Sequence, residues 1–142
     1  IAADLQASDK TEDLEVLVEA MRRNTEALNK EEILNVLLER EELGSTGIGD
    51  GIAMPHGKSS EITQIISGFG LSKQGIPFDS LDGKPAHLFF LLVAPENSVG
   101  THLKMLARIS RMLKNVEFRK TLLDANSQQE IYQIISEEDE KY

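Results

Sequence analysis

Hydrophobic positions recur at helical spacing toward both ends of the chain and crowd into short runs in its middle. Leu14, Leu17, Val18 and Met21 fall three or four apart, which predicts a helix over about Thr11 to Arg23 capped by Ser8 or Thr11. Asn29 stands three residues before Glu32, a capping-box-like pair. It opens a second helix through Ile33, Val36, Leu37 and Leu43, ending at Gly44. Residues 44–51, Gly-Ser-Thr-Gly-Ile-Gly-Asp-Gly, are too rich in glycine for either regular element and read as a loop. Strands are predicted at Ile52–Met54, Ile62–Leu71 and Ala86–Val93, the latter two separated by turn residues Gly75, Pro77, Asp82-Gly83 and Pro85. The last strand is an almost unbroken apolar run, the mark of a central strand covered on both faces.

The final third returns to helical spacing. Ser98 to Asn115 places Leu103, Leu106, Ile109, Ser110 and Leu113 on one face. Asn115 caps a short helix through Phe118, Leu122 and Leu123, and Ser127 with Glu130 opens another through Ile131, Ile134 and Ile135. The acidic run Glu137 to Glu140 lies at the negative end of that helix, where fraying is expected. Ile1–Leu5 reads as the end of a strand or a lead-in, and Ile1 is no initiator, so the natural chain is expected to continue upstream. Helices, then strands, then helices around one sheet predict a single layered α/β domain over residues 1–142.

Composition narrows the function classes. The 142 residues carry 15 Lys+Arg against 24 Asp+Glu, a net charge of -9, with no clustered basic stripe to meet nucleic-acid phosphates. The absence of Cys rules out disulfides, thiolate metal sites and thiol nucleophiles within these residues. The longest apolar stretch, Leu88 to Ala94, is too short to cross a bilayer, and no basic leader precedes an apolar segment. The expected place is the cytoplasm, without membrane insertion.

Three residues carry candidate chemistry. His56 follows Met54-Pro55 and precedes Gly57, so a rigid strand end presents its imidazole beside backbone without bulk. A neutral imidazole is a nucleophile near neutral pH; a histidine in that place equally well caps a strand end through a hydrogen bond. His102 falls in the first turn of the helix from Ser98, where free N–H groups favour anions, or where it merely completes the helix start. Arg40, beside the glycine loop, can grip two phosphoryl oxygens or pair with its acidic neighbours. Ser45 and Thr46 add hydroxyls, and the loop amides can cup an anion. His87 has no polar company in sequence and reads as structural. Gly57-Lys58-Ser59 imitates a P-loop end but lacks the required glycine at Ile52, and the three histidines lack the close spacing of a zinc ligand pair.

The block Leu43 to Gly57 closely resembles the active-site signature of fructose/mannitol-type IIA proteins of the bacterial phosphoenolpyruvate-dependent phosphotransferase system. Thr101-His102-Leu103 with Leu106 resembles that family's second histidine motif. Ile76 to Asp82 and Ile131 to Ile135 are most similar to its nitrogen-regulatory branch. The resemblance implies a three-layer α/β/α sandwich with a central mixed β-sheet. It further implies that His56 takes a phosphoryl group, on Nε2, from an HPr-type phosphohistidine carrier. Arg40 and His102 then hold and neutralise that group, and Ser45, Thr46 and Gly47 form the phosphate-binding loop. Neither cofactor nor metal is implied. Beyond the carrier, the implied partner is a regulated target protein in the nitrogen-regulatory reading. A sugar-specific component would instead relay phosphate to a IIB protein. A non-catalytic anion- or partner-binding module on the same fold is a third reading.

Overall fold

The apolar run of the sequence becomes β5 (Ala86–Pro95), the strand around which the other elements are laid. The computed structural model describes residues 9–24, 29–60, 62, 64–78, 80–97 and 99–140. Before β5 come α1 (Lys10–Asn24), α2 (Lys30–Glu42), β1 (Gly47–Gly49), β2 (Ile52–Ala53), β3 (His56–Ser59) and β4 (Ile66–Ile76). After it come α3 (Val99–Leu113), α4 (Val116–Leu123) and α5 (Gln128–Asp139).

β4 runs antiparallel along one edge of β5, pairing Ile66 with Val93 through to Ile76 with Ala86. β2 and β3 run parallel to β5, pairing with Leu88–Phe89 and with Leu92–Pro95 respectively. They are successive stretches of one strand path interrupted at Met54-Pro55, because proline has no N–H to give to a ladder. Its carbonyl still accepts from the Leu92 amide at 3.0 Å. β1 pairs antiparallel with β2 at the sheet margin. The sheet is therefore mixed.

Alternation along β5 builds the two cores. Phe89, Leu91 and Val93 pack with Leu14, Leu17, Ile33 and Leu37 of α1 and α2. Leu88 and Phe90 pack on the opposite side with Met112, Phe118, Leu122 and Ile131 of the three later helices. The result is the α/β/α sandwich that the family resemblance implies. A one-residue slip of β5 would exchange the two sets. Each buried Leu or Phe contributes about 1.5–3 kcal/mol, so the register is strongly held.

Several expectations need correction. Residues 47–49, expected within a loop over 44–51, form β1 and close a hairpin with β2, the strand expected from Ile52. Asp50 (φ 56°) and Gly51 (φ 77°) supply the two left-handed positions of a type I′ turn, which glycine density makes easy. β3 was not foreseen, since His56-Gly57-Lys58-Ser59 has no apolar alternation and is held by backbone pairing. Leu43 and Leu103, expected in the core, are 85% and 61% exposed. The second helix ends at Glu42, before Gly44. At the start of α1 the Asp9 carboxylate accepts from the Glu12 amide at 2.8 Å, the role expected of Ser8 or Thr11. The last helix holds to Asp139, whose carboxylate accepts from Arg108 Nε at 2.6 Å. Asn29, Asn115 and Ser127 cap their helices as the sequence predicts. The lead-in Ile1–Leu5, Ser8 and the Met21 side chain lie outside the described residues.

Candidate active site

His56 opens β3, opposite Leu92 in the parallel register. Its Nδ1 lies 2.8 Å from the Met54 carbonyl oxygen. A carbonyl only accepts, so Nδ1 carries the proton and donates, leaving Nε2 with its lone pair. Gly57 comes next, and a Cβ there would sit 2.4 Å from Val36 Cγ1, so glycine makes room for the Val36 side chain of α2 against β3. One turn beyond Val36 on the same helix face is Arg40. Close packing of α2 on β3 thus delivers the guanidinium to the imidazole.

Arg40, His56 and His102 line one cavity of about 410 Å³, together with Lys58. The structure brings together the three residues expected to act on a phosphoryl group. His102, in the first turn of α3, is buried at 4% exposure. Its ring meets that of His56 edge to face, with centroids 5.5 Å apart and planes at 82°. Its Nδ1 is buried without a hydrogen-bond partner. The Arg40 side chain donates from one terminal nitrogen to the Gly44 carbonyl at 2.8 Å. Leu43 and Leu103, exposed at the cavity mouth, give it an apolar rim.

Burial and nearby charge favour the neutral form of both imidazoles. Burial pushes the pKa of His56 below the ordinary histidine value, and the Arg40 cation adds to the push. The Met54 carbonyl and the Glu41 carboxylate pull the other way without reversing it. Burial likewise lowers the pKa of His102, helped by repulsion from His56 whenever that ring is protonated and by the Lys58 cation.

Ser45, Thr46 and Gly47 are not brought to the cavity wall. The Ser45 hydroxyl donates to the Phe78 carbonyl at 2.7 Å and accepts from the Gly47 amide at 3.0 Å. The Thr46 amide and hydroxyl both donate to the buried Glu41 carboxylate. These groups shape the loop from within. His87 donates from Nδ1 to the Ser72 carbonyl, 2.8 Å away, and lies outside the cavity. The carbonyl fixes that nitrogen as the donor.

Lys58 was missed from the sequence. The signal was a period of two: on a strand, residue 58 shares a face with residue 56, but β3 was not recognised. Glu41, also missed, was hidden among the acidic neighbours of Arg40. A larger hollow of about 820 Å³ opens between the sheet and helices α3 and α5 over Phe90 and Met112, and none of the histidines reaches it. Among the described residues no group of three or more His, Asp or Glu is placed to hold a metal ion, and no helix is long and apolar enough to cross a membrane.

Residues 1–138 match the family model described as phosphoenolpyruvate-dependent sugar phosphotransferase system, EIIA 2. The chain is 45% identical over 124 residues to a fructose-specific EIIABC component of Bacillus subtilis, covering 87% of this chain and 19% of that protein. It is 42% identical over 108 residues to a nitrogen regulatory protein of Bradyrhizobium diazoefficiens, covering 76% of this chain and 71% of the relative. The crystal structure of nitrogen regulatory protein IIA-Ntr from Neisseria meningitidis superposes with a TM-score of 0.85 at 32% identity, over 93% of this chain and 90% of that one. A chain that matches this model almost end to end, and folds as such a relative does, belongs to the EIIA 2 family of the phosphoenolpyruvate-dependent sugar phosphotransferase system.

Proposed function

We propose that this protein is a phosphoryl carrier that accepts phosphate on His56 Nε2 from a phosphohistidine carrier protein of the HPr type, and that its phosphorylation state serves regulation. The observation that carries the reading is the Nδ1 bond to the Met54 carbonyl, which leaves Nε2 nucleophilic beside Arg40 and His102. In the transfer, the Nε2 lone pair forms a new N–P bond as the N–P bond of the donor phosphohistidine breaks. The donor imidazole keeps the electron pair of that bond. The His56 proton stays on Nδ1, donated to the Met54 carbonyl, and a donor ring protonated on its other nitrogen leaves as neutral imidazole, so no proton passes between the partners.

Such a transfer needs alignment and stabilisation of charge on three oxygens more than covalent help. Arg40 offers permanent charge and paired donors. For His102, a proton on the buried, unpartnered Nδ1 would be the costlier orphan, so the proton sits on Nε2 and is available to a phosphoryl oxygen. Lys58 adds a second cation at the wall. The roles proposed for Ser45, Thr46 and Gly47 are to hold the loop in shape, without contact to the phosphoryl group. The exposed Leu43 and Leu103 form the apolar centre of a docking face, and the acidic chain suits a carrier with a basic contact face.

The test is incubation with phosphoenolpyruvate, the first enzyme of the system and the carrier, followed by mass spectrometry. Wild type gains one acid-labile, base-stable phosphate; His56→Ala gains none. His102→Ala docks the carrier but transfers about 10²-fold more slowly, the usual cost of one transition-state donor. Labelling of His56→Ala at the wild-type rate refutes the reading. The identity to a fructose-specific relative favours a second reading, relay to a IIB protein during sugar uptake. The chain has no Cys, so a IIB acceptor cysteine would lie elsewhere. Onward transfer to an added IIB protein decides between the two.

A further inference from the structure

Glu41 is a buried carboxylate with a specific set of partners. Its side chain is 4% exposed, and one oxygen lies 3.1 Å from Lys10 Nζ. That same oxygen accepts from the Thr46 amide at 3.1 Å, while the other accepts from the Thr46 hydroxyl. Three donors from α1 and the glycine loop therefore converge on the last turn of α2. Lys10 also stands 4.8 Å over the Phe78 ring, and the Phe78 carbonyl receives the Ser45 hydroxyl, which ties the cluster to the loop a second time. The neighbouring residue is Arg40. Consecutive helical residues project about 100° apart, so one side chain faces the cavity while the next is anchored inside. Arg40 itself reaches the Gly44 carbonyl at 2.8 Å, two residues before Thr46. The loop is thus gripped by both residues.

Stability alone is a poor account of this arrangement. Desolvating an ion pair costs about as much as the pairing returns, and an apolar residue of similar volume usually serves as well. What a buried, fully partnered carboxylate does supply is geometry. The end of a helix frays when left to itself, and Glu41 fastens this end where its position decides the placing of a guanidinium.

We propose that Glu41 is a positioning residue for the acceptor site: held by Lys10 and Thr46, it locks the last turn of α2 to the glycine loop and so aims Arg40 into the cavity beside His56. The inference rests on the phosphoryl-carrier reading for its functional consequence, and on Arg40 geometry for its structural one. Glu41→Gln keeps size and shape but gives up the charge and one accepting oxygen. In the wild-type background this substitution lowers the single-turnover transfer rate at least tenfold, with the carrier KM within about twofold. In an Arg40→Ala background it lowers the rate less than twofold further, because there is no guanidinium left to aim. It also moves the His56 titration to lower pH, since a carboxylate near the imidazole has been neutralised.

Equal losses in both backgrounds overturn the proposal. If wild type itself takes no phosphate from the carrier, the carrier reading fails, and the positioning role is judged by the Arg40 guanidinium resonance in ¹H–¹⁵N NMR. A single sharp Nε–H signal in wild type becomes motionally averaged in Glu41→Gln; an unchanged signal overturns the proposal independently of the transfer reaction. Thr46→Val removes only one donor to Glu41 and is the second variant should Glu41→Gln not fold. It shows the same background dependence at about threefold, and additive losses there also overturn the proposal.

Discussion

Asp13→Asn stabilises this protein by an amount that grows with pH. Asp13 is wholly buried on α1, neither carboxylate oxygen has a hydrogen-bond partner, and burial pushes the carboxyl from 3.8 up to about 8. Unfolded, the group ionises near 3.8. Between that value and about 8 the folded chain holds a proton that the unfolded chain has shed, so stability falls as pH rises through this window. Each unit costs at most about 1.4 kcal/mol, which brings the penalty at pH 7 to about 4 kcal/mol as an upper bound. Asparagine keeps the shape and the unpartnered polarity of the protonated acid but never ionises, so it isolates the titration. Urea unfolding at a series of pH values is the assay. Asp13→Asn should match wild type at pH 4 and exceed it by about 2–4 kcal/mol at pH 7, the gap widening steadily between. A gap that does not change with pH, or an asparagine variant less stable than wild type at pH 7, refutes the reasoning, since either requires the carboxylate to be ionised and paired in the fold.

Two further outcomes follow from the site. Gly57→Ala puts a Cβ 2.4 Å from Val36 Cγ1, so the Val36 side chain or the α2 turn that carries it must shift. Denaturation should show a loss of about 1–3 kcal/mol, and single-turnover transfer should fall with it because Arg40 rides on that helix. The lowered pKa of His56 keeps its neutral form present below the ordinary histidine range. The His56 ring signals in an NMR titration should therefore shift at lower pH than those of a free imidazole. The unfolded chain protonates first as pH falls, so this residue costs stability below about pH 6.5.

The layers were legible in the sequence because burial writes itself as periodicity. β5 is apolar on both faces, and the sequence shows it as an unbroken run. Caps at Asn29, Asn115 and Ser127 were legible because each has one short polar side chain doing one local job. β3 was illegible for the converse reason: its four residues are held by backbone pairing to β5, and side chains chosen for chemistry conceal the strand. Leu43 and Leu103 fit the helical period but stand at the cavity mouth, where an exposed apolar group suits a protein partner better than a core. His56, His102 and Arg40 were each ambiguous alone, and the family signature singled them out. That Ser45 and Thr46 turn inward to Phe78 and Glu41 depends on contacts up to 33 residues apart, which spacing along the chain does not encode.

The central claim is that the His56 Nδ1 proton is committed to the Met54 carbonyl and Nε2 is the atom that receives phosphate. ¹⁵N-edited NMR of imidazole-labelled protein, before and after phosphorylation by the carrier, tests it directly. The account predicts a neutral His56 ring protonated on Nδ1, then a phosphorus coupling that appears on Nε2 of His56 alone. Phosphate on Nδ1, or on the ring of His102, would contradict it.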